Sequence, residues 1–254
     1  MPICRTALRS ATVRPENLHP GHSTAYGGMV DYRLGKLQRL GLLRGKWLDC
    51  GCADGHYGLG LRRHGASEVV GTDIDTNVVD RARHLGAQDS RVSFAVAHAE
   101  AMPFAEGSFD GILLNEVLEH VQDERRALAE MHRLLRAGGH IAVFSPNRWF
   151  PFEGHGLLGP VRMPFPVPLV PWLPMRLVGR WMQARNYWPR DLRRLVSAAG
   201  FEIAHVEFAW PLFGEYRWLP SPLLSFYAKL RPILERNRVL RRFGVSTLIV
   251  GRKV

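Results

Sequence analysis

The 254-residue sequence is poor in cysteine, in lysine and in long apolar runs, and one half of it is poor in acids. Three cysteines in a chain this long exclude a disulfide scaffold. Cys50 and Cys52 also stand too close for an ordinary bridge, so a reducing compartment fits. No stretch of about 20 apolar residues free of breakers occurs, and no membrane-spanning helix is expected. No secretory apolar segment opens the chain. Arg5, Arg9 and Arg14 among Ser and Thr give residues 1–24 the look of an unstructured leader or a transit-like segment. Hydrophobic residues at 46% and charged residues at 22% exclude wholesale disorder.

The missing acids divide the chain. Residues 1–147 carry 17 basic and 17 acidic side chains, whereas residues 148–254 carry 17 basic and 6 acidic, which accounts for the whole net charge of +11. The second part also holds 6 of the 7 Trp and 12 of the 17 Pro. A coding bias explains the 30 Arg against 4 Lys but not the loss of acids. The second part is expected to meet something anionic: a membrane surface, a phosphorylated substrate or nucleic acid.

Residues 29–43 have apolar positions at helical spacing. Strand and helix then alternate. Strands are expected at 46–50, 68–72, 91–97, 109–114 and 139–145, and helices at 57–64, 76–85 and 124–135. This order predicts right-handed βαβ units, a parallel sheet and helices on both faces. Residues 148–188 break the pattern. A helix at 189–199, with Pro189 near its start and Gly200 as its stop, is followed by strands at 201–208 and 245–251.

Five segments carry chemistry. Asp49-Cys50-Gly51-Cys52-Ala53-Asp54-Gly55 is a strand end, a tight turn and a helix start; its glycines let a ligand approach and are expected to aim amides at it. Its D-x-G-x-x-x-G spacing is not the dinucleotide fingerprint. Asp73, before Ile74, lies just beyond the second strand, where a carboxylate accepts from ribose hydroxyls; the competing role is a helix N-cap. Residues 97–104 contain His98, Ala99 and Glu100. Asn115-Glu116-Val117-Leu118-Glu119-His120 follows the fourth strand, and Gly138-Gly139 precedes the fifth. Cys50 and Cys52 without a second ligand pair make no zinc site, and no metal is expected.

In order and spacing, from about residue 45 to 147, these segments resemble the class I S-adenosylmethionine-dependent methyltransferases of the type 11 domain. The resemblance implies an α/β, Rossmann-like, doubly wound fold. Its seven-stranded, mostly parallel sheet would end in a C-terminal antiparallel hairpin, with a Pro/Trp-rich insertion after strand five. One domain over 25–254 is implied: a cofactor core at 45–147, an insertion or lid at 148–188 and an acceptor-side region at 189–254. The cofactor implied is S-adenosyl-L-methionine. Asp49 and Gly51 would wall its methionine part, Asp73 would accept from its ribose and Ile74 would pack on adenine. His98 and Ala99 would line the adenine edge, and Asn115 would lie near the amino group. Cys52, Ala53, Gly55, Glu100 and Glu116 complete the contact set. Two departures stand out: Ala53 replaces a usual glycine, and His98 replaces a usual Asp, where a neutral imidazole would accept from the adenine amine. Arg33 would reach the cofactor carboxylate, the competing reading being an exposed helix-face charge, and Tyr26 would close over the site. Glu119-His120 is expected to shape the helix after strand four.

Methyl transfer is an in-line displacement, so acceptor choice falls to residues outside the core. Glu153 and His155 follow strand five and are the candidate general bases. Residues 163–175 hold five prolines and no charge outside Met and aliphatic or aromatic side chains, which suits a lid or a membrane-dipping element. A basic amphipathic helix is expected over 174–185, with Arg176 and Arg180 on one face, and a second over 231–242, with Arg231, Glu235, Arg238 and Arg242 on one face. The expectation is a cytoplasmic O-methyltransferase of a small or lipid-like acceptor, in peripheral contact with the anionic inner membrane surface. A nucleic-acid methyltransferase is the first alternative, disfavoured because residues 115–118 are not Asn/Asp-Pro-Pro-aromatic. A non-catalytic S-adenosylmethionine-binding module is the second.

Overall fold

The computed structural model describes residues 26–153, 167–179, 181–182, 184–212 and 221–254. The leader expected at 1–24, His155 and Arg180 lie outside the described residues.

The chain runs α1 (Tyr26–Arg39), β1 (Lys46–Cys50), α2 (His56–Arg63), β2 (Glu68–Asp73), α3 (Thr76–Gly86), β3 (Val92–Val96), β4 (Phe109–Asn115), α4 (Glu124–Leu134) and β5 (Leu135–Pro146). After these come a short antiparallel pair, β6 (Phe152–Glu153) and β7 (Val167–Pro168), and a one-turn helix α5 (Met175–Val178). The chain closes with α6 (Pro189–Ala198), β8 (Phe201–Ala209), α7 (Ser221–Arg236) and β9 (Ser246–Lys253). The sheet has seven strands in the order β3-β2-β1-β4-β5-β9-β8. The first five are parallel, and β9 runs antiparallel to both β5 and β8. This is the Rossmann-like sheet with a C-terminal antiparallel hairpin that the sequence leads one to expect.

Alternation along the central strands builds two cores. Trp47 and Leu113 face α1, α2 and α3 with Val30, Leu34, Leu61 and Val79. Leu48, Ile112 and Leu114 face α4 and α6 with Leu128, Met131, Leu192 and Val196. Strands covered on both sides read as continuous apolar runs, which is why 46–50 and 109–114 are legible. Each large side chain buried here contributes about 1.5–3 kcal/mol.

Two expected helices are shorter. The helix expected over 174–185 is only the four residues of α5, ending before Gly179, a poor helix former; Arg185 instead donates its amide to Glu119 O. The helix expected over 231–242 ends at Arg236 as the tail of α7, and a 3-10 turn (Leu240–Phe243) follows. Asn237 ends it, accepting from the amides of Val239 and Leu240 through its side chain. Arg231 and Glu235 pair on α7, but Arg238 and Arg242 lie beyond it.

Gly111 shows how tightly the sheet packs. A Cβ there would enter the Trp47 indole, and that ring is pinned by its Nε1 donating to Arg44 O at 3.0 Å. Gly111→Ala is expected to lower unfolding free energy by about 1–3 kcal/mol in urea titration, the range for overpacking. An unchanged midpoint would mean that the ring has room to move.

Candidate active site

The strand order reverses between β1 and β4, because β1 has β2 on one side and β4 on the other. Helices leave such a point in opposite directions, so a crevice opens beyond the carboxyl ends of the two strands. Asp49, Gly51, Asn115 and Glu116 therefore come to its mouth.

The turn after β1 is held from below. Gly51 and Cys52 both donate their amides to Thr72 O, at 2.7 and 2.8 Å. Ala53 donates to Asp73 Oδ2 at 3.0 Å, and Gly55 to Cys52 O at 2.9 Å. The expectation that this turn aims amides at a ligand is corrected: those amides are consumed by the end of β2 and by the turn itself. The glycines serve close packing instead. Gly51 has φ +74° and a Cβ on it would strike Val117, while one on Gly55 would strike the Phe94 ring. Ala53 takes φ 44°, a left-handed conformation that costs an L residue about 1–2 kcal/mol. Cys52 is buried, and burial pushes its thiol far up.

Asp73 is free of the capping role, because Asp75 caps α3 by accepting from Asn77 N. Asp73 Oδ1 and Oδ2 accept one amide each, from Asp75 and Ala53. Both oxygens keep a lone pair for a diol. Ile74 beside it is 66% exposed, an apolar platform open to a flat ring. Glu100 N donates to His98 Nδ1 at 3.2 Å. In the neutral ring the proton then sits on Nε2, so the remaining edge is a donor. The expectation of an imidazole accepting from the adenine amine is corrected: His98 suits a ring-nitrogen acceptor. Ala99 lies half-buried between them, and Glu100 Oε1 accepts from Asp123 N, which ties the segment to the start of α4.

Arg33 enters from α1 and is buried. Its Nη1 donates to Asn115 Oδ1 at 2.6 Å and its Nη2 to Ser246 Oγ at 2.8 Å. The same Nη2 lies 2.8 Å from Glu116 Oε1, and the guanidinium stacks 5.1 Å from the centre of Phe144. Arg33 is thus no exposed helix-face charge. Tyr57, from α2, hydrogen-bonds Asn115, and burial pushes its hydroxyl up to about 12. Sequence reasoning missed Tyr57, Ser246 and Ser145; only their fold position brings them here. The backbone of Tyr26 opens α1, and its side chain lies outside what the structure describes.

Glu119 is also buried, with its Oε2 3.5 Å from Ser145 Oγ. Burial, and then the Glu116 carboxyl hydrogen-bonded to it, push Glu119 well above the usual carboxylate range. One proton held between Glu116 and Glu119 satisfies both. Glu153 is buried in β6 and accepts from Asn186 Nδ2.

Asp49 sits near the carboxyl end of β1. It is fully buried; one oxygen takes Gly58 N–H, and Oδ2 has no hydrogen-bond partner. Burial, then the nearby Asp73 charge, raises its carboxyl to about 7. An unpartnered buried carboxylate asks for a cation. S-adenosyl-L-methionine brings a sulfonium and an ammonium, with a diol for Asp73 and a flat ring for Ile74, so the residues present fit it. Among the described residues no cluster of three or more His, Cys, Asp or Glu could hold a metal.

Residues 48–143 match a family model described as a methyltransferase domain. Over those residues the chain is similar to the class I S-adenosylmethionine-dependent methyltransferases. It is 32% identical over 99 residues to the O-methyltransferase resE of Aspergillus sclerotiorum, covering 38% of each chain. It is 28% identical over 209 residues to a demethylmenaquinone methyltransferase of Beutenbergia cavernae, covering 81% of this chain and 82% of that one. The structure of an S-adenosylmethionine-dependent methyltransferase from Mesorhizobium loti superposes with TM-score 0.61 at 20% identity, over 89% of this chain and 99% of that one. The chain spans 36–38% of the length of several curated relatives that it matches.

The Asp49 carboxyl makes stability depend on pH. Its value of about 7 lies above the ordinary 3.8, so between those values the folded protein keeps a proton that the unfolded chain has lost. Stability of the cofactor-free protein from this group falls as pH rises through that window and is level above it. Asp49→Asn is expected to raise unfolding free energy at pH 8 by about 1–3 kcal/mol, and by much less at pH 4. Urea titrations at the two pH values check this; equal gains would refute it.

Proposed function

We propose that this protein transfers the methyl group of S-adenosyl-L-methionine to a hydroxyl of a small, lipid-like acceptor, at the anionic inner surface of a membrane. The observation that carries the methyl-donor part is the buried, unpartnered Asp49 oxygen beside an oriented Asp73 and an exposed Ile74. Likeness to an O-methyltransferase and to a demethylmenaquinone methyltransferase supports the choice of acceptor.

Asp49 would hold the cationic end of the cofactor, Asp73 its ribose, and Ile74 and His98 its adenine. The cofactor supplies an electrophilic methyl on a cationic sulfur. The chain's own residues then hold the acceptor in line and keep water out. Arg33, locked to Asn115 and Glu116, roofs the crevice beside Tyr57. For a hydroxyl acceptor a base must take a proton, and His155 is the proposed group by its place after β5. Glu153, the other candidate, is buried and already accepts from Asn186.

Asp73→Ala is expected to weaken S-adenosyl-L-methionine binding by about 10- to 100-fold in isothermal titration, the loss of a charge-assisted contact to a diol. Labelled cofactor incubated with lipid, small-molecule and RNA extracts should mark the lipid fraction. Absence of binding by the wild-type protein, or label in RNA alone, would overturn the proposal.

A further inference from the structure

Of the sixteen large apolar side chains exposed among the described residues, eleven fall between Trp149 and Leu240. They are not scattered. The turn at 169–173 packs on the chain after β5, where Leu169 N donates to Pro151 O and Arg148 donates through Nε and Nη2 to Pro171 O and Leu173 O. The Arg148 guanidinium is itself stacked 5.2 Å from the centre of Trp188. These bonds fix a turn whose Leu169, Trp172 and Leu173 side chains stay 44–54% exposed. On the other flank of the same stretch, Asn147 Nδ2 donates to Arg242 O and Gly244 O, and Trp149 meets Phe243 edge to face at 5.8 Å. That contact brings in the turn bearing exposed Val239 and Leu240, next to α7 with exposed Leu223, Phe226 and Ile233. All of it lies at the carboxyl ends of the parallel strands, the end at which the methyl-donor crevice opens.

The rim is basic. Arg176, Lys229, Arg236, Arg238, Arg241 and Arg242 are exposed, and none is ion-paired among the described residues. Residues 216–254 contain one acid, Glu235, which accepts from Tyr32 and pairs with Arg231 instead.

We propose that this face, with Trp172, Leu173, Val239 and Leu240 at its centre and Arg238, Arg241 and Arg242 at its edge, docks on an anionic lipid bilayer. The proposal deepens the reading of a lipid-like acceptor and rests on it for its purpose. Charge complementarity selects the occupant. A second copy related by a two-fold axis would set cation against cation. A nucleic acid would pair with the arginines but leave the aliphatic side chains wet. A bilayer offers acyl chains beneath anionic headgroups and matches both layers. Docking there points the crevice at the membrane, so that a lipid acceptor need not cross water.

The test uses the full chain and flotation with vesicles of phosphatidylcholine alone or with 30% phosphatidylglycerol. Binding is expected to the anionic vesicles and to weaken with salt. The triple variant Arg238→Ser, Arg241→Ser, Arg242→Ser should lose about a hundredfold in partitioning, on the order of fivefold per cation. Trp172→Ser with Leu173→Ser should also lose binding, while Leu85→Ser, exposed on α3 at the far end, should not. Each variant is to keep the wild-type urea midpoint and cofactor affinity. No flotation with anionic vesicles, or variants that float like wild type, overturns the docking face and leaves the methyl-transfer reading standing. Displacement from vesicles by RNA, or self-association abolished by the same variants without flotation, overturns it in favour of those partners. Flotation without cofactor binding overturns the methyl-transfer reading and leaves the face.

Discussion

Everything functional in this chain hangs on the point where the sheet changes direction. Between β1 and β4 the strands stay hydrogen-bonded, but the chain leaves them toward opposite faces, and a crevice is unavoidable. What is not dictated by topology is how that crevice is roofed. Here one guanidinium does it: Arg33 bridges α1 to Asn115 and Glu116 beyond β4 and to Ser246 at the start of β9. Three segments far apart in sequence are thereby fixed to one planar group. Its five donors in a rigid fork suit three acceptors as a lysine could not. Lys36 and Tyr32, on the same helix, reach Glu207 on β8 and Glu235 on α7, so α1 acts as a strut between the cofactor side and the basic half.

The electrostatics of the crevice are unbalanced by design of the fold rather than by composition. Residues 1–147 sum to zero charge, yet Glu116 and Glu119 share the Arg33 guanidinium, and Asp49 stands with Asp73 as its charged neighbour. Burial raises the Asp49 and Glu119 carboxyls; Glu119 has the Glu116 carboxyl and Arg33 beside it, whereas one Asp49 oxygen has no partner. A ligand with positive charge on both sulfur and nitrogen restores the balance, and a neutral one does not.

Much of this was legible in the sequence because it depends on local pattern. The strands expected at 46–50 and 68–72, the acids Asp49 and Asp73 at or just past their ends and the order of the five motifs follow from periodicity and turn chemistry. What was not legible depends on partners distant in the chain. The direction of the Gly51 and Cys52 amides is decided by Thr72 O, twenty residues away. The donor edge of His98 is decided by the Glu100 amide in a turn whose shape the sequence does not announce. For Arg33 a helix-face charge and a group reaching into the site read alike, since helical position alone does not reveal that Asn115, Glu116 and Ser246 hold it. The helices expected over 174–185 and 231–242 shortened where Gly179 and Asn237 interrupt an amphipathic pattern that otherwise runs on.

The basic half gains a physical meaning from the same topology. β9 runs antiparallel to β5, so the chain before β9 returns to the end of the sheet where β5 finishes. Residues 147–151 and 242–244 must therefore meet, and Asn147 seals the junction with two carbonyls. Any segment inserted after β5 or before β9 is displayed at the mouth of the crevice. Arginines and exposed aliphatic side chains placed in those two segments end up beside one another although they are some 70 residues apart in sequence. A net charge of +11 spread over a sphere would say little; Arg176, Lys229, Arg236, Arg238, Arg241 and Arg242 instead fall, exposed, in these two segments.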